Sequence, residues 1–201
     1  MKRWMVIGLI VCACGSSNNG GSSGPGSISG TVGGQPLNVK DAVFNVESNN
    51  VESNNVVTVV ITDRENICAL LGGTTLPGTT TVLLLSLANF VPPATLNPHA
   101  TGDYAFFDLG GGTAPTSAGR YWFGGFETVD ASCHPGTPTL ATGGTVTVTQ
   151  TGNTTTHLKA NLTGLHFGAD TLNGNIEATY CAALSTTSCG SLVARPPSPA
   201  E

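Results

Sequence analysis

The chain has 201 residues, with 7 Lys and Arg against 12 Asp and Glu, a formal net charge of −5 and charged residues at only 9%. With no basic stripe to displace counterions from a phosphate backbone, nucleic acid is excluded as a partner. The 27 glycines, many threonines and few charges suit strands joined by tight turns, and the length allows one domain with a real core.

Three features succeed one another at the N-terminus. Lys2 and Arg3 give a positive start, Trp4 to Val11 form an apolar run, and the small residues Ala13 and Gly15 follow. A membrane-spanning helix needs roughly 20 apolar residues, about twice this run. These are the proportions of a signal peptide over residues 1–13. Within it, Val11-Cys12-Ala13-Cys14 resembles the lipobox of bacterial lipoproteins, with an apolar residue at −3, a small one at −1 and a cysteine at +1. The resemblance implies that the Cys14 thiol is alkylated by diacylglycerol and that the chain is cut before it. Several acyl chains on one residue anchor firmly, which makes a membrane the expected partner. Gly15 at +2 is not the aspartate that retains such proteins in the inner membrane, so the resemblance favours the outer membrane. Loss of Lys2 and Arg3 leaves 5 basic residues against 12 acidic ones, a net charge of −7.

Residues 14–26 form the next segment. Its sequence from Gly15, GSSNNGGSSGPG, has almost nothing to pack and reads as a flexible tether spanning on the order of 20 Å. From residue 27 to 193 the signal is alternation, the mark of half-buried strands. The spacing predicts strands over Ser27–Gly33, Leu37–Val46, Val56–Thr62, Thr80–Ala88, Asp103–Phe107, Arg120–Thr128, Thr145–Gln150, Thr156–Gly164 and Leu172–Cys181. Arg64–Leu71, after a turn-like Thr62-Asp63, is expected to form one helical turn carrying Cys68. Val82 to Leu85 is apolar on both faces, as in a central strand covered on each side. The last three strands instead have one apolar and one polar face, as in an antiparallel meander over a core. The expected fold is all-β, a sandwich or small barrel of about 8–10 strands, and alternation does not separate the two. A Pro-rich tail, 194–201, ends the chain.

One internal duplication interrupts the pattern. Val46-Glu47-Ser48-Asn49-Asn50 is followed at once by Val51-Glu52-Ser53-Asn54-Asn55. Five residues is an odd insertion, so one regular strand cannot hold both copies on matching faces. An exposed hairpin loop is the expected home.

Four cysteines remain after processing: Cys68, Cys133, Cys181 and Cys189. An even number in an exported chain reads as two disulfides, and no pair has the short spacing of a structural zinc site. Proximity favours Cys181–Cys189, leaving Cys68–Cys133. No nucleophile elbow, zinc-protease motif or phosphate loop occurs, so no catalytic residue, cofactor or metal is assigned. His99, His134, His157 and His166 are scattered. His157 and His166 could meet across a hairpin, but a lone pair without an obvious carboxylate reads as surface decoration. Asp103, Asp108, Asp130 and Asp170 lack the density of a calcium loop.

Two stretches remain as candidate binding surfaces. Tyr104, Phe106, Phe107, Tyr121, Trp122, Phe123 and Phe126 could form a sugar-stacking platform, with Trp122 the residue of interest, though aromatics more often fill a core. The Thr/Asn face of the last three strands reads as an ordinary solvated sheet. The lipobox and tether, with Gly144-Thr145-Val146-Thr147-Val148, Asn173-Gly174-Asn175-Ile176-Glu177-Ala178 and a closing Cys181, resemble β-rich envelope lipoproteins of Gram-negative bacteria. The expectation is an anchored, non-enzymatic binding or structural protein with a protein or glycan partner. A glycan-binding or adhesion module is the alternative, and a hydrolase is less favoured.

Overall fold

Alternating apolar residues can bury themselves only if the sheet that carries them closes over a core, and here it closes on itself. The computed structural model describes residues 24–49, 54–73, 75–92, 95–108 and 115–185. In chain order come β1 (Gly26–Val32), β2 (Gln35–Pro36), β3 (Asp41–Asn49), β4 (Asn54–Thr62) and the short helix α1 (Ile67–Leu71). There follow β5 (Thr80–Val91), β6 (Thr95–Asn97), β7 (Gly102–Phe106), β8 (Gly119–Val129) and β9 (Thr139–Leu140). β10 (Gly143–Gln150), β11 (Leu158–Phe167), β12 (Asp170–Tyr180) and a 3-10 turn (Ala182–Ser185) complete the described chain.

Eight strands form a closed ring in the order β11-β10-β7-β8-β5-β4-β3-β12, with β12 pairing back to β11. The fold is therefore a barrel. It consists of two antiparallel meanders, β3-β4-β5-β8 and β7-β10-β11-β12, joined by two parallel seams. One seam pairs Thr179 and Tyr180 with Val43 and Phe44, and the other pairs Ala105 and Phe106 with Tyr121 and Trp122. Beside each seam an extra strand covers part of the edge left open. β1 runs along Leu172–Ile176 of β12, and β9 along Gly125 and Phe126 of β8. β1 lies so close that a Cβ on Gly174 would sit 2.1 Å from the Ser27 carbonyl oxygen, so only glycine fits there.

The interior is filled. Phe44, Val57, Val59, Ile61, Leu83, Leu85, Tyr104, Trp122, Val146, Leu158, Leu165 and Leu172 are each 0% exposed and belong to one cluster. Edge-to-face ring pairs lock it at Phe44–Tyr180, Phe106–Trp122 and Phe126–Phe167, with centroids 5.8, 5.4 and 6.4 Å apart.

The Val82–Leu85 run is covered on both sides, as its sequence predicts. Leu83 and Leu85 point into the barrel. Val82 and Leu84 point outward into a second cluster with Val43, Val60, Ile67, Leu71, Val129 and Leu184. α1 forms the lid of that cluster, and the Asp41 carboxylate fixes it by accepting the Ile67 N–H at 2.9 Å. Outward residues on the β10–β12 side are polar, with Thr145 and Thr147 on β10, Asn161 and Thr163 on β11, and Asn173 and Asn175 on β12, while Tyr121 and Phe123 on β8 and Leu140 on β9 are outward apolar residues. A membrane-spanning barrel has the reverse arrangement, an apolar outer band around its wall.

The disulfide pairing differs from the expectation. Cys68 bonds Cys181, 113 residues away, rather than Cys133, and Cys181 does not pair with nearby Cys189. Barrel closure is the reason. The β12–β3 seam carries the end of β12 under α1, and the Cys181 N–H donates to the Phe44 carbonyl at 2.8 Å, which brings Cys181 up to Cys68. Cys133 is buried and also disulfide-bonded, and Cys189 lies outside the described residues.

Two outcomes follow from this arrangement. Loop-closure entropy puts a disulfide of this separation at about 5 kcal/mol, so Cys68→Ser should cost about 2–5 kcal/mol in denaturant unfolding. The duplicated pentapeptide lies at the end of the β3–β4 hairpin, where Val46 pairs with Val57 and Glu47 with Val56. Deleting residues 51–55 leaves three residues, Ser48 to Asn50, to close the turn with the register of every core residue preserved. Stability should change by less than about 1 kcal/mol; a larger fall in unfolding midpoint would mean that the hairpin end packs on the body.

Candidate functional site

The residues with chemical potential are distributed by the strand period, not gathered by it. On β8, Trp122 and Phe126 turn inward while Tyr121 and Phe123 turn outward. Trp122 is 0% exposed, and its indole N–H donates to the Gly144 carbonyl at 3.1 Å. It is a core residue and cannot stack on a sugar. The outward Tyr121 and Phe107 meet edge to face, 6.0 Å apart at 68°, and the Tyr121 hydroxyl is tied to Ser117 at 2.9 Å. Such rings do not offer a coplanar platform. Tyr104 is buried as well. Its hydroxyl accepts from the Ala100 N–H and donates to the Ala100 carbonyl, each at 3.0 Å, while desolvation pushes its phenol up from its ordinary value.

His157 and His166 do not meet. His157 precedes β11 and His166 lies near its end, so about nine residues of strand separate them, roughly 30 Å. His157 does have a carboxylate partner, which the sequence reading missed: its Nδ1 lies 2.5 Å from Glu177 Oε1, and Lys159 Nζ lies 3.2 Å from Glu177 Oε2. His166 Nδ1 contacts the Thr171 hydroxyl at 3.0 Å, His99 Nε2 the Gly152 carbonyl at 3.1 Å, and His134 the Asp130 carboxylate at 3.4 Å. Asp130 shapes its own turn. Its carboxylate accepts the N–H groups of His134 and Ser132, which hold its pKa below the ordinary value. No group of three or more metal-ligating side chains occurs among the described residues. Cys14 lies outside them, and no helix among them is long and apolar enough to cross a membrane.

Two surface regions remain. One is the polar wall, where pairing aligns Asp103, Thr147, Asn161, Asn175 and Ser27 in a row across five strands. Asp103 accepts the Thr147 hydroxyl at 2.7 Å within that row. The other is an open groove lined by Asn89, Phe90, Val91, Asp103, Ala118, Gly119 and Arg120. It lies where β7 and β8 part below their seam. Arg120 is its only cation; it donates to the Thr101 carbonyl at 2.5 Å. In the sequence, Asp103 and Arg120 stand out only as the first residues of two predicted strands, Asp103 also as one of four aspartates too sparse for a calcium loop. The flanking glycines Gly102 and Gly119 were the available signal.

Comparison with protein-family models, with curated proteins and with solved structures finds no match to this chain. Its functional reading therefore rests on its own residues.

One titration is set by the fold. Glu127 on β8 is half-buried, and desolvation pushes its carboxyl above the ordinary value of 4.5. A raised folded pKa means the unfolded chain releases this proton first as pH rises, so stability falls across that window and stays lower above it. Glu127→Gln should raise the unfolding midpoint at pH 7 and leave it nearly unchanged near pH 3.5. An equal shift at both pH values would assign the effect to packing instead of charge.

Proposed function

We propose that this chain is a lipid-anchored protein of the bacterial envelope that acts through the outer surface of a filled barrel, as a non-enzymatic binding or structural module. The observation that carries the surface reading is the interior itself. Trp122, Tyr104 and Phe44 are fully buried in one apolar cluster, so a ligand has no lumen to enter and must be met from outside. Two further features support the address. The lipobox at Val11–Cys14 supplies an anchor, and the Cys68–Cys181 disulfide belongs to an oxidising, exported compartment. The polar outer wall fits a body held beside a bilayer by its tether and not embedded in it. The outer membrane is the favoured location, because Gly15 follows Cys14. The non-enzymatic reading rests on the sequence, which carries no nucleophile elbow, zinc-protease motif or phosphate loop.

The anchor has a direct test. The wild-type chain should fractionate with membranes and, after extraction, have the mass of residues 14–201 plus acyl groups. Cys14→Ala should abolish that acylation and shift the protein from detergent-extracted to soluble fractions, with its unfolding midpoint unchanged. An unacylated wild-type protein cut elsewhere would make this a freely secreted domain.

A further inference from the structure

The groove beside Arg120 arises from the topology of the barrel. Parallel pairing of β7 with β8 stops at Ala105–Tyr121. Before that point Arg120 and Gly119 still pair with Asn89 and Phe90 of β5, but β7 is no longer bonded to them. The two strands diverge, and the crevice between them is bridged by one side chain. Arg120 reaches across to donate to Thr101, and its guanidinium lies over Gly102. A Cβ on Gly102 would sit 2.8 Å from the guanidinium nitrogens, and this residue has a φ of +116°. The backbone is therefore shaped to receive this arginine.

Arg120 is not neutralised. The ion pairs among the described residues join Arg64 to Asp63, His134 to Asp130, and His157 and Lys159 to Glu177; none includes Arg120. A guanidinium with one carbonyl partner, in an acidic chain, keeps donors for a planar bidentate acceptor such as a carboxylate. The other lining groups define what such a ligand must also carry. Asp103 uses Oδ1 for Thr147, and Asn89 uses its amide nitrogen for the Pro98 carbonyl at 3.0 Å. Asp103 Oδ2 and Asn89 Oδ1 are acceptors, which call for hydroxyl donors. Phe90, Val91 and Ala118 add apolar surface suited to the C–H face of a ring. The Asp103 charge disfavours a compact dianion such as sulfate, which would bring no donor to offset it.

We propose that this crevice binds a carboxylate-bearing sugar unit, a uronate of an acidic glycan, with Arg120 holding the carboxylate and Asp103 and Asn89 accepting from ring hydroxyls. The proposal rests on the surface-binding reading above but not on the lipid anchor.

The experiment is calorimetric titration of the full chain in detergent with trigalacturonate, maltotriose and inorganic sulfate. Trigalacturonate is expected to bind at least about tenfold tighter than either of the others. Arg120→Gln should weaken it by about tenfold or more, and Asp103→Ala by a few-fold. Arg120→Lys, which keeps the charge and loses the fork, should fall between wild type and Arg120→Gln. Sulfate binding as tightly as trigalacturonate would overturn the sugar assignment. Trigalacturonate binding that survives Arg120→Gln and Asp103→Ala would overturn this site while leaving surface binding in place. No trigalacturonate binding by the folded wild type would overturn the proposal outright.

Discussion

Closure is the constraint on which this molecule depends. Two antiparallel meanders bury their inner faces only if their edges meet, and they meet at two parallel seams of two residue pairs each. Parallel pairing is slightly less stable per residue than antiparallel, and two pairs supply few hydrogen bonds. The seams are held by what packs across them. At β12–β3 the Phe44–Tyr180 ring pair sits inside, and the Cys68–Cys181 bond ties α1 down just beyond. At β7–β8 the Phe106–Trp122 pair fills the interior, and the Trp122 N–H reaches over to Gly144 on β10. Aromatics and a covalent bond therefore do at the seams what long ladders do elsewhere in the ring.

This explains why the hydrophobic residues fall into two layers and not one. A filled barrel buries one face of every strand, and that accounts for the alternation of β10, β11 and β12 on either side of their bulges. β3, β4 and β5 bury the second face too, because α1 and the 3-10 turn cross over them. Val43, Val60 and Val82 are the outward counterparts of Phe44, Ile61 and Leu83. The disulfide belongs to this outer layer. It staples the cover to the end of β12, so the outer layer and the closure of the barrel reinforce each other.

The longer strands and their faces were legible in the sequence because they follow from local period, whereas the two- and three-residue strands β2, β6 and β9 are too short to show one. The helical turn at Cys68 and the double burial of Val82–Leu85 were legible too. Closure was not legible, since a strand with one buried face looks the same in a sandwich and in a barrel. Neither was the disulfide pairing, because Cys68 and Cys181 meet only after the ring has closed. The partner of His157 shows a finer limit. Counting back from the turn after Phe167, where it pairs with Asp170, sets Lys159 opposite Ala178. A bulge between Leu162 and Leu165 shifts the register by one, so that Glu177 faces Lys159 and comes within reach of His157. One irregular residue decides which charges meet, and alternation alone carries no sign of it.

The groove at Arg120 belongs to the same class of feature. Its residues come from three strands, and none is distinctive by itself. They converge because a parallel seam, unlike a hairpin, has no turn to hold the strands together past its last pair. The chain has to part there, and parting exposes backbone and side chains that a continuous ladder would cover. The second seam also parts, but β1 fills the gap along β12, and glycines let its backbone approach closely. On the β8 side β9 covers only Gly125 and Phe126, at the opposite end from Arg120. Where β12 opens it is covered by a strand, and where β8 opens at Gly119 and Arg120 it is bridged by a cation. That asymmetry, more than any single side chain, sets the Arg120 crevice apart from the rest of the wall.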